Sequence, residues 1–87
     1  PVKLHRCSGT FVKLDAHPCW RVEKALREQG IEYERPAEVE RRAVIEGTGQ
    51  SSFPAIQFED GTWYREESKD MAARIRAGKL FERAGAP

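Results

Sequence analysis

The chain has 87 residues, enough for one small domain with its own core. Its net charge is +1, with acidic and basic residues interleaved, which argues against a nucleic-acid or polybasic membrane surface. No apolar run approaches the ~20 residues of a membrane span. Two cysteines are too few for a disulfide scaffold and, with only His5 and His17 beside them, too few for a zinc site. We therefore expect a protein of the reducing cytoplasm that holds no metal and binds neither nucleic acid nor membrane.

The first third of the chain predicts a strand, a helix and a second strand. Residues 2–6 alternate apolar and polar side chains, as in a short strand. Residues 18–29 form a helix that begins at Pro18 and is ended by Gly30, with its charged residues in solvent. Its apolar face consists of Cys19, Val22, Ala25 and Leu26. Residues 31–34 alternate again, and a strand–helix–strand unit of this length predicts two parallel strands.

The remainder predicts a helix, a hairpin and a last helix. A polar helix over 37–46, stopped by the segment 47–49, turns inward Val39, Ala43 and either Val44 or Ile45. Asp60-Gly61 is a strong turn signal between strands at 53–59 and 62–65. Ser68 is expected to cap a helix over 69–77, whose inner face holds Met71, Ala72 and Ile75. Leu80 and Phe81 are expected to dock the end of the chain.

This order, β-α-β-α-β-β-α, predicts an α/β domain with a mixed four-stranded sheet and three helices on its two faces. We expect one domain over residues 1–82, a frayed tail at 83–87, and a monomer or weak dimer.

One stretch, residues 15–22, carries the best candidate for chemistry. It places Cys19 in the first turn of a helix, where free backbone N–H groups and the helix dipole favour an anion. A thiol at such a position can have a lowered pKa, so that more of it is the reactive thiolate.

Three segments together resemble glutaredoxin-like proteins and the N-terminal domains of glutathione S-transferases. They are CWRVEKALREQGIEY at 19–33, TGQSSFPAI at 48–56 and ESKDM at 67–71, in the order and spacing of that family. The resemblance implies a thioredoxin-like fold of the glutaredoxin type. It also implies a thiol–disulfide oxidoreductase that binds glutathione, or a related small thiol, and acts on small or protein disulfides.

The resemblance further implies a ligand site around a cis peptide bond at Phe53–Pro54. The backbone of Phe53 would pair with the cysteinyl part of a thiol peptide, Ser68 would bind a carboxylate, and Glu67 would accept from the ligand's ammonium group. Arg21 or Lys24 would assist a second carboxylate. Each has a plainer alternative: a trans Pro54, Ser68 as a simple cap, Glu67 as a solvated acid. His17 is either a partly exposed residue before proline or a base or ligand.

The sequence departs from the family's pattern at its most important position. Ala16 stands where the attacking cysteine of the Cys-Pro-Tyr-Cys motif belongs, and Cys19 stands where the resolving cysteine belongs. Three alternatives follow: Cys19 itself attacks by a monothiol route through a mixed disulfide with glutathione, Cys7 supplies the missing partner of Cys19, or both cysteines are structural. The alternative function is a non-catalytic binding or interaction module related to glutathione S-transferase N-terminal domains. A complete transferase is not expected, because no residues here build the second, helical domain.

Overall fold

The strands and helices follow the predicted order. The computed structural model describes residues 1–7, 13–14, 16–37, 40–51 and 53–82. The elements are β1 (Val2–His5), α1 (Pro18–Glu28), β2 (Tyr33–Glu34), α2 (Arg41–Thr48), β3 (Ala55–Gln57), β4 (Trp63–Tyr64) and α3 (Ser68–Arg76). Val39 and the tail at 83–87, on which predictions were made, lie outside the described residues.

A mixed four-stranded sheet organises the domain, as predicted. Its strand order is β2-β1-β3-β4, with β1 parallel to β2 and antiparallel to β3, and β3 antiparallel to β4. Because β1 and β3 are antiparallel, the carboxyl end of β1 meets the amino end of β3, with His5 opposite Ala55. The residues after β1, before β3 and after β4 therefore lie at one end of the sheet.

The core lies between one face of the sheet and the helices α1 and α3, which pack against each other. The predicted inner residues of both helices are buried, and so is Leu80. Phe81, in contrast, is 59% exposed and contacts only the edge of Phe58 among the rings described. On the other face, the ring of His5 stacks on that of Trp63, beside α2.

Helices α2 and α3 differ from the prediction at their boundaries. Helix α2 begins at Arg41 and continues through Gly47 to Thr48, where Gly49 (φ 77°) ends it in the left-handed conformation. Gly47 lies inside the helix, and the indole of Trp63 occupies the space that a Cβ atom at this position would need. Val44 is the buried residue of this helix, and Ile45 is 44% exposed.

The second difference lies at the start of α3. Glu67, not Ser68, is the N-cap, and its side chain makes no capping hydrogen bond. Ser68 is the first helical residue, and its hydroxyl faces α1 instead of the free N–H groups of its own helix.

Candidate functional site

The start of α1 is built by His17, whose role the sequence did not reveal. His17 is the N-cap, and its Nδ1 accepts hydrogen bonds from the backbone N–H groups of Cys19 (3.2 Å) and Trp20 (3.5 Å). Capping is usually done by the oxygen of Ser, Thr, Asp or Asn, so a histidine before proline gives little signal. The imidazole is thereby held at the N-terminus of α1, and Pro18 follows it as the first helical residue.

This cap fixes the direction in which the imidazole can donate. Since Nδ1 accepts two N–H groups, the proton of the neutral ring is on Nε2. Nε2 lies 3.7 Å from the Sγ of Cys7. The helix start therefore presents an N–H donor to a thiol that the chain brings in from the end of β1.

The two cysteines lie side by side. The backbone N–H of Cys7 donates to the Sγ of Cys19 at 3.4 Å. Both thiols are free, and their sulfur atoms and an imidazole nitrogen of His17 all lie within 4.8 Å of one another. The structure thus brings together the two cysteines that the sequence offered as a possible pair.

Their accessibilities differ in a way that bears on their chemistry. Cys19 is only 3% exposed, whereas Cys7 is half-buried. Burial raises the pKa of the Cys19 thiol to about 11, partly offset by the N–H of Cys7. The expectation that the helix terminus lowers the pKa of Cys19 is therefore wrong. Of the two thiols, Cys7 is the more exposed to solvent.

Phe53 and Pro54 lie at the same end of the sheet as the cysteines. The peptide bond between them is cis, as predicted. The antiparallel pairing of β1 with β3 ends at His5 and Ala55, and Cys7 and Phe53 each lie two residues beyond it at this end of the sheet. Phe53 is half-buried, and the guanidinium of Arg41 lies 4.8 Å from the centre of its ring.

The remaining predicted site residues lie where α1 and α3 begin. They are Arg21, Glu67 and Ser68. Arg21 donates to the Oγ of Ser68 at 3.0 Å, linking the first turn of α1 to that of α3. Ser68 is 9% exposed, and Glu67 is exposed. The topology places these residues at the cysteine end of the sheet, since the chain leaves β4 there to begin α3.

Beneath the site lies a buried ion pair that the sequence did not predict. Glu23 is 1% exposed and accepts from buried Arg6, from the Tyr33 hydroxyl at 2.7 Å and from Arg27 at 3.0 Å. Burial alone would raise the pKa of Glu23, but the hydrogen bonds from Tyr33 and Arg6 and the charge of Arg35 lower it overall.

This pair corrects the view of the helix charges as a solvated face. Glu23 follows Cys19 by four residues and so shares its buried side, which is the one signal the sequence contained. Because Arg6 directly precedes Cys7, its bond to Glu23 ties the end of β1 to α1 beside the two sulfurs.

Comparison of the chain with protein-family models, with curated proteins and with solved structures found no match. Within the part of the chain that the structure describes, no helix is long and apolar enough to cross a membrane.

Proposed function

We propose that this protein is a thiol–disulfide oxidoreductase of the thioredoxin-like fold, in which Cys7 attacks and Cys19 resolves. The observation that carries the proposal is the pair of adjacent free thiols, one accessible and one buried. A redox pair needs this asymmetry, because the first sulfur must meet the substrate and the second must only meet the first. The strand order and the three resembling segments support the fold assignment.

The roles exchange those expected from the sequence, where Cys19 was the nucleophile. A thiol with a pKa of about 11 holds little thiolate at neutral pH and is a poor attacking group. Cys7 instead faces the Nε2–H of His17, a donor that stabilises negative charge on sulfur as bonds form and break. Ala16, at the position of the family's attacking cysteine, is replaced in this function by Cys7 from β1.

The reaction has two exchanges. The thiolate of Cys7 attacks a disulfide R–S–S–R′, forming Cys7–S–S–R and releasing R′S⁻. Cys19 then attacks the sulfur of Cys7 and forms the Cys7–Cys19 disulfide. The bond from Cys7 to R breaks, and R leaves as the thiol RSH with the proton of Cys19. The substrate gains two electrons and the protein loses two. Two molecules of glutathione, or of a related small thiol, return the protein to the dithiol and leave as a disulfide.

The substrate we propose is a disulfide that contains glutathione. The backbone of Phe53, at the same end of the sheet as Cys7, would pair with its cysteinyl part, as the resemblance implies. Ser68 would offer its first-turn N–H group to a carboxylate, and Arg21, bonded to its hydroxyl, would add positive charge. Exposed Glu67 would accept from the ammonium group.

Trapping the intermediate tests the assignment. With glutathione disulfide, we expect Cys19→Ser to accumulate one glutathione on Cys7, because the resolving thiol is gone. We expect Cys7→Ser to remain unmodified over the same time. Intact-mass spectrometry gives the adduct and peptide mapping its position. Equal labelling of the two variants would contradict the assignment.

The same assay tests the glutathione groups. In the Cys19→Ser background, Glu67→Gln should slow labelling by glutathione disulfide about tenfold, because one charge-assisted hydrogen bond to the ligand is lost. Labelling by hydroxyethyl disulfide should be unchanged. Glu46→Gln, a matched change of an exposed acid on α2, should affect neither rate. A fall with both disulfides would assign Glu67 to the structure and not to the ligand.

A second candidate, a non-catalytic binding module, is favoured by the burial of Cys19 and by Ala16. The two functions differ in whether the two cysteines exchange between the dithiol and the disulfide. An oxidoreductase exchanges between dithiol and disulfide forms in glutathione buffers, with a midpoint measurable by mass. A binding module stays reduced across the same range of buffers.

A further inference from the structure

We infer that the reduced protein binds one Zn²⁺ ion through the Sγ atoms of Cys7 and Cys19 and the Nε2 of His17. The counts of cysteine and histidine led us to expect no metal, but the fold gathers three of these four side chains at one point. The inference uses the dithiol of the proposed function, although it does not require that the protein catalyse any reaction.

The geometry of the three donors fits a tetrahedral ion. With Zn–S of about 2.3 Å and Zn–N of about 2.0–2.1 Å, tetrahedral angles give S···S edges of about 3.8 Å and S···N edges of about 3.6 Å. The Sγ of Cys7 lies 3.7 Å from the Nε2 of His17, and the two sulfur atoms and one imidazole nitrogen of His17 lie within 4.8 Å of one another. Side-chain movements of about an ångström or less close the site around the ion.

The surroundings suit zinc-bound thiolates. The backbone N–H of Cys7 points at the sulfur of Cys19, the outer hydrogen bond that metal-bound sulfur commonly receives. The buried guanidinium of Arg6 directly precedes Cys7 in the chain and is held by Glu23 of α1. Two sulfurs and one imidazole match the ligand preference of Zn²⁺, and the half-buried side of Cys7 and His17 leaves the fourth position to water or a small thiol.

Zinc binding should disrupt the helix cap made by His17, and this change can be measured. When Nε2 holds the ion, the ring proton moves to Nδ1, which can then no longer accept from the N–H groups of Cys19 and Trp20. The helix cap is therefore exchanged for the metal bond, and the amide resonances of these two residues should shift. Each thiol releases one proton, so that the site carries two thiolates and one neutral imidazole.

Zinc and the disulfide exclude each other, because both use the same two sulfurs. Oxidation to the Cys7–Cys19 disulfide should release the ion, and bound zinc should protect the thiols from oxidation. The proposed site is thus a redox-dependent zinc site.

A competition titration tests the site. Reduced, metal-free protein is titrated with Zn²⁺ against a chromophoric chelator, and Co²⁺ is used in parallel for its sulfur-to-metal charge-transfer band. We expect one ion per chain, and no binding after diamide oxidation, which removes the thiols without a substitution. Cys7→Ser should weaken binding by at least about 100-fold, since a thiolate ligand is lost.

The decisive variant is His17→Asn, because asparagine keeps an N-cap oxygen for α1 but has no imidazole. It should weaken zinc binding at least about tenfold while its circular dichroism matches that of the unchanged protein. The site would be overturned if His17→Asn bound zinc as tightly as the unchanged protein. It would also be overturned if the unchanged protein bound half an ion per chain, or if it retained no zinc against the chelator. Trapping of glutathione on Cys7 is measured on metal-free protein, so the two proposals fail independently.

Discussion

At the level of single residues, the two cysteines show how burial can reverse an argument from position. The first turn of α1 would favour a thiolate at residue 19, and the sequence shows that position plainly. Burial outweighs it, because the end of β1 covers the sulfur and water is excluded. The sequence does not show which part of the chain covers a helix terminus. It therefore identified the two thiols but not which of them is buried.

Alkylation measures this difference directly. In the folded, reduced protein at pH 8, we expect iodoacetamide to modify Cys7 and to leave Cys19 almost untouched. Because the pKa of Cys19 is about 11, its thiolate fraction and hence its rate should rise about tenfold per pH unit from 8 towards 11. Peptide mapping by mass spectrometry follows both sites. In guanidinium chloride the two should react alike, and equal rates in the folded protein at pH 8 would contradict the assigned burial.

At the level of elements, the second helix shows what periodicity and turn signals can decide. Both glycines of the segment 47–49 are helix breakers by composition, and the prediction stopped the helix at the first. Only Gly49 adopts the left-handed conformation, while Gly47 is helical and lies against Trp63. A glycine needed for close approach cannot be told from one needed for a turn without the partner element. The hairpin supplies that partner sixteen residues later.

Replacing Gly47 by alanine separates these two roles. In an exposed helix the change would stabilise by about 1 kcal/mol. Here the new methyl group meets the indole ring of Trp63, so we expect a net loss of about 1–2 kcal/mol in the free energy of unfolding. Urea denaturation measures it. In a Trp63→Leu background the same change should be neutral or stabilising, and a loss of equal size there would show that the indole is not the cause.

At the level of the whole molecule, the element order, the mixed four-stranded sheet and the inner faces of α1 and α3 were readable from the sequence. Alternation, helical spacing and a strong turn signal act over short distances and so are visible locally. The buried pair of Arg6 and Glu23 was not readable, since its partners lie 17 residues apart and on different elements. It joins β1 to α1 and, through Tyr33, to β2. The same long-range closure brings Cys7 to Cys19, which the sequence offered only as a possible pair.

Removing the charge of Glu23 should therefore cost much more than removing that of an exposed glutamate. Glu23→Gln leaves the buried guanidinium of Arg6 without its counter-ion, and we expect a loss of about 3–5 kcal/mol in the free energy of unfolding. Glu28, on the same helix, pairs with Arg76 where both side chains are nearly half exposed. Glu28→Gln should cost less than about 1 kcal/mol. Urea denaturation at pH 7 compares the two variants, and similar losses would contradict the role of the buried pair.

The pH dependence of the same variant identifies the charge as the cause. The pKa of Glu23 is lower in the folded protein than its ordinary value of 4.5, so its ionised form contributes stability that is fully present above about pH 5. That contribution is lost as the pH falls through the lowered value, because the folded protein must then take up the proton. Glutamine does not titrate, so the difference in unfolding free energy between the unchanged protein and Glu23→Gln should shrink as the pH falls below 4.5. Urea denaturation from pH 7 to pH 3 measures this difference, with Glu28→Gln as the control. A difference that stays constant over this range would assign the loss to packing and leave the carboxylate of Glu23 without an electrostatic role in holding the end of β1 against α1.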